Sequence, residues 1–252
     1  MKNIFRIFLC AAMLIALRAQ ATDVTPASPN GWAPANVRTN ATVAITGAQP
    51  RSGLGSLEFT TNTITPTQDK ADFEKIWGVV AGRTLGNLSA LSYEFYRSSA
   101  STTAGHFAPV LRLYYYNSVN GENGLLIWEP IYNGYASIPT NAWISEDVFT
   151  DNFWMRAFSP SRTIDDYNVS LAEWMANADE EGSPITDDGD ADVPHVLSAS
   201  IYITGINVGV GSGWGATFLG YVDNVEIEFG ADVETANFEL PPPCTTDCYV
   251  DA

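Results

Sequence analysis

Leu85–Gly134, LGNLSALSYEFYRSSASTTAGHFAPVLRLYYYNSVNGENGLLIWEPIYNG, decides the fold. Three strands can be read in it, Leu91–Arg97, Val110–Asn117 and Gly124–Tyr132. Each is rich in aromatic and branched residues and is bounded by Gly, Ser, Asn or Pro. Alternation sorts the side chains. Leu91, Tyr93, Phe95, Leu111, Leu113 and Tyr115 form an apolar set that belongs to a core. The opposite set is aromatic with a few charges. It predicts that Glu94, Tyr96, Arg112, Tyr114 and Trp128 converge on one sheet face, with Tyr114 and Trp128 as the main contacts. Ring faces stack on the C–H surfaces of sugars, and Glu and Arg hydrogen-bond hydroxyls. The competing explanation is that aromatics are good strand formers on a covered sheet.

Outward from this centre, strand-like runs recur with turn signals between them. Thr42–Thr46, Ser56–Thr60, Phe73–Val80, Trp143–Phe149, Phe153–Phe158, Val196–Asn207 and Thr217–Phe229 are the candidates. On the last, Val222, Asn224 and Glu226 are expected opposite Asp223, Val225 and Ile227. With 252 residues, 46% apolar, the chain can bury one sizeable core. The pattern points to an all-β sandwich of two antiparallel sheets with at most one or two short helices. The best helix candidate is Ser170–Asn177, where Ser170 and Glu173 have capping-box spacing.

Residues 1–21 read as a signal peptide. Lys2 and Arg6 give a charged start, Ile7–Leu17 an apolar run too short to span a bilayer, and Ala19-Gln20-Ala21 a small-x-small cleavage site. Residues 22–40 read as irregular, 41–240 as the sandwich and 241–252 as a linker or tail. Losing the leader removes Lys2, Arg6 and Arg18, leaving nine of the 12 basic residues against 29 acids and a net charge of −20. Such a surface repels nucleic acid and anionic membrane. It suits calcium or neutral partners; a strongly anionic polysaccharide would need a local basic patch, and none is visible along the sequence. Export leaves Cys244 and Cys248, whose spacing suits a disulfide across a short loop in an oxidising compartment.

Three stretches together resemble bacterial secreted jelly-roll domains related to carbohydrate-binding modules. They are Ser52–Phe59, then Leu88–Arg97 with Leu125–Gly134, and Trp214–Phe218 running into Gly220-Tyr221-Val222-Asp223-Asn224-Val225-Glu226-Ile227. The resemblance implies a jelly-roll sandwich that binds a polysaccharide or glycan, or serves surface recognition. It also implies a structural calcium near the closing strand, involving Asp223. Independently, Asp188, Asp190 and Asp192 at x+2 spacing offer oxygen ligands to calcium, though the loop lacks the glycine and distal Glu of an EF-hand. The tail Cys244–Ala252 resembles the opening of right-handed parallel β-helix domains, which implies a downstream domain in a longer protein.

Catalysis finds less support. Glu226 and Glu228 resemble the paired carboxylates of retaining sandwich glycosidases, but Ile227 stands where the comparable motif has Asp. His106 and His195 lack flanking motifs, and no Gly-x-Ser-x-Gly elbow is present. Gly209, Gly211 and Gly213 precede a β segment, so they form a wide turn and no dinucleotide fingerprint. The expectation is an exported, non-catalytic carbohydrate-binding or surface-recognition domain. The alternatives are a glycoside hydrolase or lyase on the same fold, and a structural cap for a larger surface protein.

Overall fold

The computed structural model describes residues 21–159, 161–164, 166–176, 185–187, 190–194 and 197–242. Residues 1–20 of the signal peptide, Asp188, His195, Cys244, Cys248 and the tail resembling a β-helix opening lie outside the described residues. In chain order the strands are β1 (Asp23–Val24), β2 (Trp32–Ala35), β3 (Ala41–Thr46), β4 (Ser56–Thr63), β5 (Ala71–Ile76), β6 (Ala90–Arg97), β7 (Val110–Tyr116) and β8 (Asn123–Trp128). There follow β9 (Trp143–Asp147), β10 (Trp154–Ser159), β11 (Ser161–Ile164), helix α1 (Leu171–Ala176), β12 (Thr186–Asp187), β13 (Asp190–Pro194), β14 (Tyr202–Val210), β15 (Ala216–Phe229) and β16 (Asp232–Phe238).

Two sheets carry the fold. The first holds β9, β6 and β15, with β4–β3 on one half of β15 and β16–β1 on the other. The second runs β11-β10-β8-β7-β14-β5-β2. Pairing is antiparallel apart from the short β1–β16 contact, and β12–β13 is a separate small hairpin. The expected all-β sandwich is what the chain forms. No helix among the described residues is long and apolar enough to cross a membrane.

The core lies between the sheets. Leu91, Tyr93 and Phe95 of β6 face Leu111, Leu113 and Tyr115 of β7, all almost wholly buried. Trp128 joins them, edge-on to Tyr93 at 5.6 Å, and its indole N–H donates to Asp151 at 2.9 Å. The Tyr93 hydroxyl donates to the Pro109 carbonyl at 2.7 Å, so the one polar atom on this large ring is satisfied.

Several expectations need correction. Residues 22–40 contribute the edge strands β1 and β2, with Trp32 buried against Phe73 and Phe238. The third central strand ends at Trp128, because Pro130 opens a 3-10 turn. The strand expected from Val196 begins at Tyr202. Leu197 and Ile201 are buried while Ala199 is exposed in a turn, so four-residue spacing, not alternation, places them. On β15 the register shifts between Asp223 and Glu226, with Asn224 in the left-handed region at φ 49°. That bulge lets Val222 and Val225 both point inward, which strict alternation forbids. The helix is present as read: the Ser170 N–H donates to Glu173 at 2.6 Å and the Glu173 N–H to Ser170 Oγ at 3.3 Å.

Candidate functional site

The five residues expected on one face are not together. β6 belongs to the first sheet and β7 to the second, so their outward side chains leave the sandwich in opposite directions. The cause is the apolar set: it must face inward from both sheets, which drives Glu94 and Tyr96 to one exterior and Arg112 and Tyr114 to the other. Trp128 reaches neither, being 0% exposed in the core.

The outer face of the first sheet holds an open, acidic cleft of about 390 Å³ bordered by Glu94, Ser145, Asp147, Asn224 and Glu226. Glu94 accepts from Arg51 at 2.6 and 3.1 Å, from Ser145 at 2.6 Å and from Asn224 at 2.8 Å. Burial works to raise its carboxyl, but these donors hold it below the usual range. Tyr96 is wedged between Trp143 and Tyr221. Glu226 and Glu228 also point to this side, paired with Ser92 and Ala90.

The outer face of the second sheet forms a cleft of about 300 Å³. Strand register builds its floor. Trp154, Ile127, Arg112, Asn207 and Glu74 line up across β10, β8, β7, β14 and β5, and Arg156, Leu125, Tyr114 and Gly205 form the next row. Loops supply the walls: Asn36 and Arg38 after β2, Lys70 before β5, Glu129 after β8, and Gly211 and Ser212 after β14. Gly209 keeps the floor low, since a Cβ there would stand 2.2 Å from Asp72 Oδ1 and 2.7 Å from Arg112 Nη1. Gly211, at φ 73°, has no room for a side chain either, its Cβ position lying 1.6 Å from the Asp69 carbonyl.

The polar floor is one connected network. Tyr114 donates to Glu74 at 2.6 Å, and Asn207 donates to the same carboxylate at 3.1 Å. Arg112 donates to Asn207 at 2.7 Å, to Asp72 at 2.8 Å and to the Gly211 carbonyl at 3.2 Å. Lys70 pairs with Asp72 at 2.7 Å, and Asn36 donates to it at 2.9 Å. Burial works against the Asp72 carboxylate, yet Arg112 and Lys70 keep it below its ordinary value. Burial, with Arg112 adding repulsion, lowers Lys70 to about 8. Burial and then Glu74 push the Tyr114 hydroxyl up.

The apolar side of the cleft is Trp154, with Phe158 exposed beside it. Tyr167 meets Trp154 edge-on at 6.2 Å and stacks on Tyr132 at 4.1 Å, bracing the indole. The Trp154 N–H is buried on the Glu129 side of the ring, where it helps to lower that carboxyl against a rise caused chiefly by burial. Sequence reasoning missed Trp154, Arg156 and Phe158. Their alternation with Phe153, Met155 and Ala157 was the signal that could have found them. Arg38, Lys70 and Asp72 arrive from elsewhere in the chain and gave no such signal.

Of the metal candidates, Asp190 and Asp192 fall on β13, and no acidic, His or Cys group among the described residues has three members placed to hold a metal ion. Asp223 is 0% exposed and accepts the backbone N–H groups of Phe238 at 2.8 Å and Ser52 at 3.3 Å. Burial, with Glu239 adding repulsion, raises it to about 6. Glu239 accepts from the N–H groups of Leu54 and Gly55 through Oε2, while its buried Oε1 has no partner among the described residues.

No family model matches the sequence, and no curated protein matches it significantly. Solved structures of similar chain course include one described as the structural basis for the promiscuous specificity of carbohydrate-binding modules from the β-sandwich superfamily. It is 14% identical with a TM-score of 0.39, over 79% of this chain and 57% of that one. Another is the cellulose-induced protein Cip1, 13% identical with a TM-score of 0.42, over 80% and 92%. A third is a non-crystalline-cellulose-specific carbohydrate-binding module, CBM28, 12% identical with a TM-score of 0.40, over 80% and 88%. This chain spans little more than half of the first. At such identities the likeness is one of chain course alone.

Proposed function

We propose that the protein is an exported, non-catalytic carbohydrate-binding domain that holds its ligand in the cleft on the outer face of the second sheet. The observation that carries this is Trp154: a half-buried indole, braced by Tyr167, in a cleft with a polar floor. A sugar ring offers an apolar face for the indole and hydroxyls for the floor, and a mostly pre-formed cleft lowers the ordering cost of binding. Trp154 takes the stacking role first expected of Trp128. Support for binding without turnover comes from Asp72, whose oxygens are engaged by Arg112, Lys70 and Asn36 and so are poorly placed to act on a substrate.

Affinity electrophoresis against a panel of polysaccharides tests the reading. Retardation that Trp154→Ala abolishes is expected. Release of reducing ends or unsaturated products by the folded protein would replace this reading with the enzymatic one.

A structural calcium near the closing strand belongs to the same proposal. The buried carboxylates of Asp223 and Glu239, one with an unpartnered oxygen, fit a hard cation with a preference for oxygen ligands. Its role there would be charge neutralisation and stability, not chemistry.

A further inference from the structure

The cleft is rich in positive charge while the chain is strongly acidic, with a net charge of −17. Nine Lys and Arg follow residue 21, and four of them, Arg38, Lys70, Arg112 and Arg156, line this one cleft, against three carboxylates, Asp72 and Glu129 in its lining and Glu74 in its floor network. Elsewhere Arg51, Lys75 and Arg83 each pair with a carboxylate. Within the cleft, Arg112 and Lys70 share Asp72. The other two have no ion-pair partner among the described residues: Arg38 donates to the Thr67 carbonyl at 2.6 Å, and Arg156 is exposed on β10. Arg97 also lacks a carboxylate, but it is buried and spends its donors on Thr103 and the Phe107 carbonyl, whereas the exposed Arg156 and the half-buried Arg38 form the local basic patch that the linear sequence did not reveal.

Geometry couples that charge to the stacking ring. Trp154 and Arg156 are two residues apart on the same face of β10, ~6.8 Å along the strand. A ring lying on the indole therefore carries a substituent into reach of the guanidinium. Arg38 stands on the far wall, beyond β14 and β5, so a second contact falls on another part of the ligand. A guanidinium binds a planar carboxylate through two parallel hydrogen bonds, which gives geometric selectivity as well as attraction.

We propose that the cleft takes an acidic glycan whose sugar rings bear carboxylates, with Trp154 stacking on a ring and Arg156 and Arg38 binding its carboxylates. The proposal rests on the carbohydrate reading and narrows it from any polysaccharide to uronate-bearing chains. The acidic remainder of the surface repels such chains, so recognition depends on the local patch and weakens with salt.

Titration calorimetry on the full folded protein distinguishes the cases. The probes are polygalacturonate, polyglucuronate and alginate oligomers, their carboxyl-reduced neutral counterparts, a neutral β-glucan and dextran sulfate. At least one acidic series should bind, with its carboxyl-reduced form about tenfold weaker or more, the loss of one charge-assisted contact. Arg156→Gln and Arg38→Gln should each weaken the acidic series by a similar factor, leave the melting temperature unchanged, and flatten the salt dependence. Equal binding of acidic and reduced forms, or of neutral glucan alone with sensitivity to Trp154→Ala, overturns the acidic-glycan proposal while the carbohydrate reading stands. Equal binding of dextran sulfate overturns the assignment to carboxylates. Absence of binding to every glycan overturns both.

Discussion

Asp72→Asn is the sharpest test of how the cleft floor is held. The side chain is 2% exposed and lies between Arg112, 6% exposed at 2.8 Å, and Lys70, 17% exposed at 2.7 Å. Removing the negative charge leaves two neighbouring cations that repel each other, and Lys70 loses its only ion-pair partner among the described residues. Breaking a buried pair from one side costs roughly 3–5 kcal/mol. The amide oxygen still accepts from Arg112, so about 3 kcal/mol is expected. Lys70→Met keeps the Arg112–Asp72 pair and removes a poorly solvated charge, so its cost is about 1 kcal/mol or less. In the double variant the repulsion that made Asp72→Asn costly is gone, and the coupling between the two sites is about 1–2 kcal/mol. Urea unfolding at pH 7 reads these values from the midpoint, with the slope unchanged. A cost for Asp72→Asn below ~1 kcal/mol, or costs that add to within ~0.5 kcal/mol, would refute the triad as a structural unit.

Three further outcomes are expected. Trp128→Ala should lose about 3–5 kcal/mol of stability by urea unfolding, while Trp154→Ala leaves stability nearly intact and weakens glycan binding by roughly 1–3 kcal/mol; the reverse pattern would exchange core and site. Lys70 sits near 8, below its ordinary 10.5, so the folded state gives up this proton before the unfolded chain does. Stability from this group therefore rises between pH 8 and 10.5, by an amount of order 1–3 kcal/mol, and Lys70→Met abolishes the rise; identical pH profiles for the two proteins would reject the shift. Calcium at millimolar concentration should raise the melting temperature, chelator should lower it, and Asp223→Ala should erase the difference; a melting curve indifferent to both removes the metal.

The central strands were legible because side-chain alternation is local: two residues decide which face a third occupies. Leu111 through Tyr116 reads correctly from its own sequence. What alternation does not encode is which sheet a strand joins. β7 pairs with β14, setting Arg112 opposite Asn207, and β6 pairs with β15, setting Glu94 opposite Asp223. Both pairings join residues far apart in the chain, decided by packing of the whole sandwich. The segment 98–109 crosses from one sheet to the other, and nothing in its Ser, Thr and Gly content distinguishes a crossover from a long hairpin loop. The bulge at Asn224 was equally hidden, since Asn tolerates the left-handed region without requiring it.

The proposed placement of the ligand on one exterior over the other follows from the ring surface and the charge that each leaves open. Both faces carry a carboxylate opposite an arginine, Glu94 with Arg51 and Asp72 with Arg112. On the first sheet the open cleft is lined by Ser145, Asp147 and Glu226, Glu94 takes donors from three residues, and Tyr96 and Tyr221 are 8% and 5% exposed, so a ligand finds carboxylates and little open ring surface. On the second sheet the ion pairs form the floor, and above them stand the half-buried Trp154, an exposed Phe158, and two arginines without carboxylates. Two guanidiniums without carboxylates beside open aromatic surface suit a partner that supplies an anion and an apolar face together, and an acidic sugar chain has both.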